Sequence, residues 1–260
     1  VPALLEDRAN ALSAGITSGE IALELNAASV VWKGKILARL EAGKTILSPR
    51  LSLDRWVGDL PKEAGGKLGA ALEKWLEKEF APLEPLRKLE RASTSEKAGP
   101  ELRALLIRLI DEGGMLTRET SELDQLDKTQ RGMLANLGVK VGALDIFLPA
   151  MLRPGPIKAF RAFVHVHRGS PVASTLDTNM PPTLPAKAQP RPTGYRKLGE
   201  QWLRLDMAEK LLREAHGVRV VHARQPFMLD PDLAVSMGLS QSSYALLLRL
   251  AGFRSVMPKT

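Results

Sequence analysis

The stretch that decides the fold is residues 133–164, MLANLGVKVGALDIFLPAMLRPGPIKAFRAFV. Met133, Leu134 and Leu137 close a helix, and Gly138 stops it, because glycine takes the left-handed conformation there without a Cβ clash. Val139, Val141, Leu144, Ile146 and Phe147 then form a β-branched and apolar run around Gly142. Pro149, Pro154 and Pro156 forbid a continuous helix and re-aim the chain, so a new helix is expected from Pro156 or Ile157. The stretch reads as a hinge between two kinds of sequence.

Charge changes at the same place. Residues 1–150 hold 21 Lys and Arg against 22 Asp and Glu, residues 151–225 hold 13 against 5, and residues 226–260 hold 3 against 2. The net +8 of the chain therefore sits in one segment, where a local field concentrates phosphates instead of only aiding solubility. Nucleic acid is the leading partner on this ground.

Composition narrows the classes. With 44% hydrophobic residues the chain buries several modest cores, which excludes disorder throughout. Aromatics at 5% argue against a broad base-stacking sheet. The absence of cysteine removes disulfides, zinc ribbons and thiol catalysis, and fits a reducing compartment. No apolar run is long enough to span a bilayer and no signal pattern opens the chain, so a soluble, cytoplasmic protein with no membrane partner is expected. Beginning at Val1 and not Met, the sequence is expected to be a fragment or a processed product.

Outward from the hinge, the first 25 residues alternate only weakly and predict no element. Ser29 to Trp32 and Lys35 to Leu40, divided by Lys33-Gly34, predict a hairpin, to which Thr45 to Leu53 adds a third strand despite Pro49. Ala42-Gly43-Lys44-Thr45 imitates the end of a phosphate-binding loop, but Ala38 stands where the first glycine belongs and no helix is expected to follow. Leu68, Leu72, Trp75, Leu76, Phe80, Leu83, Leu86 and Leu89 recur every three or four residues, predicting a long helix over 67–91 that Pro82 and Pro85 kink or split. Further helices are predicted over 101–111, ended by Gly113-Gly114, and over 120–136, so that Leu72, Trp75, Leu76, Leu105, Leu109 and Leu134 share one bundle core.

Beyond the hinge, a helix over 157–167 turns Phe160, Phe163 and Val164 inward and Lys158, Arg161 and Arg168 outward. His165 and His167 lie two apart, on different sides of a helix with no carboxylate or cysteine beside them, so a phosphate contact or a plain surface role is expected in preference to a metal. Residues 169–194 carry six prolines and read as a linker or strap. It runs into Arg191-Pro-Thr-Gly-Tyr195-Arg196-Lys197, where cations around an aromatic either grip phosphates and stack one base or form an exposed basic loop. A small hairpin around Gly199 and a helix from Asp206 through Ala215 follow. Pro231 to Met237, Gly238-Leu-Ser240 and Gln241 to Ala251 outline a helix-turn-helix or winged-helix module closed by a strand over 253–257, though the second helix is apolar enough to be expected in a core.

The fold class expected is therefore mainly α with small β elements (α+β): a segment with a β meander over 1–60, a helical bundle over 61–168, a Pro-rich linker over 169–194 and a C-terminal module over 195–260. The candidate nucleic-acid-binding residues are Lys158, Arg161, Arg168, Arg191, Tyr195, Arg196, Lys197 and Arg204, with no catalytic residue and no metal ligand.

LGVKVGALDIFLPAMLRP (137–154), GYRKLGEQWLRLDMAEKLL (194–212) and LLLRLAGFRSV (246–256) resemble the region C-terminal to the motor in bacterial DExH-box superfamily 2 helicases related to the mitochondrial degradosome RNA helicase. The resemblance spans roughly residues 26–257. It implies an accessory region of an ATP-driven unwinder of RNA or RNA–DNA hybrids, packed on motor domains that alone would use ATP and magnesium. With no complete phosphate-binding loop and no DExH box, no ATPase residue carries over. Two functions from different classes follow: a non-catalytic region that binds and channels single-stranded RNA or DNA, or a protein-interaction scaffold docking on an acidic partner or on helicase motor domains. A hydrolase built on His165, His167 and Asp177 is weaker, since no nucleophile, base and orienting acid recur at motif spacing.

Overall fold

The computed structural model describes residues 2–22, 24–26, 28–121, 123–169, 180–186, 192–223 and 225–254, the side chains of Pro2, Leu25 and Asn26 excepted. It is mainly helical with small antiparallel sheets, as the periodicities predict. The chain divides into two compact units, Val1–Arg87 with Lys158–Thr175, and Lys88–Ile157 with Leu176–Thr260. The helical sequence expected as one bundle over 61–168 is thus shared between units: Leu72, Trp75 and Leu76 belong to the first, Leu105, Leu109 and Leu134 to the second.

The first unit opens with helix α1 (Pro2–Ser18), where the sequence pattern predicts nothing. Its inward residues are Ala9, Leu12 and Ile16, while Leu4 and Leu5 are exposed, so apolarity and burial coincide on too few positions to show a stripe. Four antiparallel strands follow in sequence order, β1 (Glu24–Asn26), β2 (Ser29–Trp32), β3 (Lys35–Glu41) and β4 (Arg50–Leu53). The hairpin predicted at Lys33-Gly34 is present, with φ of 45° and 77°, the paired left-handed geometry that matches strand twist. Val30 pairs with Ala38 but Val31 with Ile36, so Leu37 is an unpaired extra residue. The bulge turns both Leu37 and Ala38 inward, and both are fully buried.

The third strand begins later than expected, because residues 42–49 form a tight loop. A Cβ on Gly43 would sit 1.6 Å from Ser48 O, and the Thr45 amide donates to Ser48 Oγ at 3.1 Å. Glycine is required at position 43 by backbone crowding, and no helix follows Thr45, so the loop lacks the strand-to-helix geometry of a phosphate cradle.

Helix α2 (Arg55–Gly58) is capped by Asp54 and places Trp56 Nε1 2.9 Å from the Ile36 carbonyl it donates to. Helix α3 (Lys62–Glu79) packs on α1, and Val30, Leu37, Ala38, Val57, Leu68 and Leu72 join Leu12 and Ile16 in one core, with Trp75 half-buried at its rim and not inside it. The long helix predicted over 67–91 is split: a 3-10 turn (Ala81–Leu83) separates α3 from α4 (Glu84–Ser93), since neither Pro82 nor Pro85 has an N–H to continue the ladder.

In the second unit, α5 (Gly99–Asp111) buries Leu102, Leu105, Leu106, Leu109 and Ile110, and Gly113 and Gly114 end it at φ of 70° and 84°. Strand β5 (Met115–Thr117) and a 3-10 turn (Arg118–Thr120) follow where the sequence pattern predicts no element, and a second 3-10 turn (Leu123–Gln125) takes the start of the helix expected over 120–136. The third helix is only α6 (Lys128–Asn136), started by a reciprocal Asp127 and Gln130 capping box and stopped by Gly138 at φ 82°. After it, β6 (Lys140–Val141) and β7 (Asp145–Phe147) form the hairpin around Gly142, in a sheet of order β5-β7-β6. Helix α7 (Pro154–Arg168), of which Lys158–Arg168 belong to the first unit, begins two residues before Pro156, proline being compatible with a first helical turn.

The chain returns as β8 (Thr183–Pro185), β9 (Tyr195–Leu198) and β10 (Gln201–Arg204), ordered β8-β10-β9. Helix α8 (Leu205–His222) runs seven residues past its expected end at Ala215. Helices α9 (Asp232–Ser236) and α10 (Gln241–Leu250) flank Gly238 at φ 75°. Gln201 clamps this turn, its amide donating to Gly238 O at 2.8 Å and accepting from the Ser240 amide at 2.8 Å. Leu247 of α10 is buried with Leu198, Leu203, Leu211 and Leu212, so the second helix of the module packs one side on this core, while Leu250 is exposed. Of the strand expected over 253–257, Phe253 and Arg254 are not in a strand, and the rest lies outside the described residues.

Candidate nucleic-acid interface

Helix α7 carries the first group of candidate residues. It buries Ile157, Ala159, Phe160, Ala162 and Phe163, and in the first unit the Phe163 ring packs 4.0 Å from that of Phe80, centroid to centroid. With that side committed to packing, Lys158, Arg161, His165 and Arg168 fall at intervals of three, four and three residues and share one face. Lys158 and Arg168 are exposed, Arg161 and His165 half-buried. The face is a basic stripe about 15 Å long at 1.5 Å per residue. His167 lies off it, and among the described residues no group of three or more His, Asp or Glu could hold a metal ion. Asp177 lies outside the described residues.

The second group, on β9 and β10 of the second unit, is arranged differently. Tyr195 was expected to offer its ring to a base, and the structure corrects this: the side chain is 1% exposed and its hydroxyl donates to Pro181 O at 2.7 Å. Burial pushes the phenol up to about 12, with the Arg204 guanidinium lowering it and the Asp206 carboxylate raising it by smaller amounts. A ring held this way is core and has no open face for stacking.

Arg196 is likewise turned inward. Its guanidinium grips Asp145 at both ends, Nε to Oδ2 at 2.8 Å and Nη2 to Oδ1 at 2.7 Å, and Nη2 also donates to Leu144 O at 3.0 Å. Both side chains are largely buried, so the pair ties β9 to the β6–β7 hairpin and leaves no charge for a phosphate. Arg204 makes the same kind of fork with Asp206, at 2.7 and 3.1 Å, and donates to Met180 O through Nη1. Among the described residues of this group Lys197 alone is exposed, its ammonium 5.9 Å from the Trp202 ring centroid. Arg191 lies outside the described residues.

Sequence reading missed two features here. Asp145 is a carboxylate inside an apolar run, and that placement is itself the signal that a buried cation must meet it. The other is a row of rings in the second unit: His216 lies 4.9 Å from Phe253, Phe253 6.4 Å from Phe227, and Phe227 5.6 Å from His222. Its members stand up to 37 positions apart, so no local pattern announces them.

Among the described residues no helix is long and apolar enough to cross a membrane. Compared with protein-family models, with curated proteins and with solved structures, the chain finds no match.

Proposed function

We propose that the chain is a non-catalytic, cytoplasmic nucleic-acid-binding region that accompanies an ATP-dependent RNA helicase and helps to bind and channel a single strand. The observation that carries this reading is the stripe of Lys158, Arg161, His165 and Arg168 on α7, in the segment where cations outnumber acids 13 to 5. Cations in line on a rigid helix meet successive phosphates without reading bases, which suits a strand that must slide. The helicase context rests on the resemblance of residues 137–154, 194–212 and 246–256. ATP and magnesium belong in this reading to separate motor domains, which are one partner; single-stranded RNA or DNA is the other.

The test is a fluorescence-anisotropy titration of a labelled RNA of about twenty nucleotides and its DNA counterpart at several salt concentrations. Binding should weaken linearly on a log–log plot, and Lys158→Ala with Arg168→Ala should reduce the slope by about 0.7 for each phosphate no longer neutralised. Affinity unchanged in that double variant removes α7 from the binding path. The second reading, a scaffold docking on an acidic partner or on motor domains, draws on Val220 and Val221, each 80% exposed on α8. An absence of binding at low salt would favour it.

A further inference from the structure

The burial of Tyr195 removes the one aromatic that the basic segment offered to a base, yet the second unit presents others. Helix α8 ends in two turns whose outer positions are uncovered: Arg219, Val220, Val221 and His222 are exposed, and a Cβ added at Gly217 would meet nothing within 4 Å. Against this end lie two half-exposed rings, Phe227 from the segment after the helix and Phe253 from beyond α10. They meet edge to face, 85° apart, and neither is buried. His216 and His222 extend the row at either end, and His222 is set in place by Nδ1, 3.0 Å from Val218 O.

Charge accompanies the rings. The Arg219 guanidinium lies 5.4 Å from the Phe253 ring centroid, and Arg254, the next residue in the chain, is exposed. The acids of this part of the unit are Glu214, Asp230 and Asp232, and the fields of Glu214 and Asp230 bear on Tyr244, whose hydroxyl they help to raise after burial itself. An apolar core would have drawn Phe227 and Phe253 inward with the leucines around Leu247; here they are held half-open with a guanidinium against one of them.

We infer that His216, Phe253, Phe227 and His222 form a stacking row for unpaired bases of a single-stranded nucleic acid, with Arg219 and Arg254 taking the adjacent phosphates. The inference rests on the nucleic-acid reading above and supplies what that reading lacks, a base contact. Stacking is tolerant of sequence because every base has a π-face, and rings with a guanidinium group beside them suit one strand lying along the row. A protein partner would need apolar surface more than ring faces, and is the competing outcome.

The experiment uses the whole chain and an oligouridylate of about twenty nucleotides, labelled for anisotropy, with an abasic oligomer of the same length as control. Phe227→Leu with Phe253→Leu keeps apolar bulk but removes both rings. The variant is expected to bind about tenfold more weakly or worse, with the salt slope unchanged, because stacking releases no counterions. Wild type should prefer the uridylate to the abasic strand, and the variant should treat them alike. Arg219→Gln should reduce the slope by about 0.7. If the double leucine variant melts early, 2-aminopurine in the strand gives a second readout, its emission changing on binding to wild type and not with an abasic neighbour in its place on the row. Equal affinity of a folded variant and wild type overturns the stacking row while leaving the α7 stripe and the functional reading intact. Wild type that binds uridylate and abasic strands equally overturns it too. No binding by wild type at low salt removes both, and turns this surface into a protein-docking face.

Discussion

The cations of α7 and those of β9–β10 come from the same basic segment and have similar neighbours in sequence, yet the fold uses them in different ways. On α7 the helix buries Phe160 and Phe163 on one side, and the 3.6-residue period sets Lys158, Arg161 and Arg168 on another. On β9 and β10 successive side chains alternate across a sheet that is packed on the core, and Arg196 and Arg204 each find a carboxylate, Asp145 and Asp206. A cation whose fork is filled by a carboxylate of the fold is part of the structure. The difference teaches that local charge density says nothing of which charges the fold itself takes up.

The sharpest way to break this comparison is to remove the acid under Arg196. Asp145→Ala leaves a guanidinium largely buried and unpaired, and should cost about 3 kcal/mol, the low end for a broken buried pair because Arg196 keeps some contact with water. Urea denaturation measures it, and a midpoint within error of wild type would show the pair to be ornamental. Replacing both partners, Asp145→Leu with Arg196→Met, should recover most of the loss, since no charge is then stranded.

Tyr195→Phe should cost less, about 1 to 2 kcal/mol, for the hydrogen bond to Pro181 O and the carbonyl left without it. It also has a pH signature. The folded protein holds the phenolic proton up to about pH 12 whereas the unfolded chain releases it near 10, so stability should fall as pH rises through that window. The phenylalanine variant, having no proton to lose there, should lack this component of the decline; identical curves above pH 10 would place the hydroxyl in water.

Neighbouring cations then separate two kinds of effect. Lys197→Ala removes an exposed charge, should leave stability within about 0.5 kcal/mol, and should lower the salt slope of strand binding by about 0.7 if a phosphate reaches it. Arg196→Ala should do the reverse, melting early with little change in slope once the protein is kept folded. Parallel behaviour of the two would abolish the distinction between available and structural charge. The smallest expected effect belongs to Lys44→Ala. The loop it sits in is shaped by Gly43 against Ser48 with no helix behind it, so ATP turnover by the chain should be at background before and after the change. Magnesium-dependent turnover lost in the variant would require a different loop geometry.

Much of the architecture follows from residues that act locally. Lys33-Gly34 makes its turn between adjacent strands, Gly113-Gly114 and Gly138 end helices at the next residue, and Pro82 with Pro85 splits α3 from α4, each because a missing Cβ or a missing N–H acts within one turn of chain. The leucine period of α5 states which side is buried for the same reason. What the sequence by itself determined is therefore the fold class, the local turns and helix stops set by glycine and proline, and the place where positive charge accumulates. The tertiary structure alone decided that Tyr195 is core, that Arg196 belongs to Asp145 51 positions away, and that rings at 216, 222, 227 and 253 form one row. These depend on which distant groups share a dielectric environment. A side chain's own chemistry does not specify whether its partner in space is water, a carboxylate or a base.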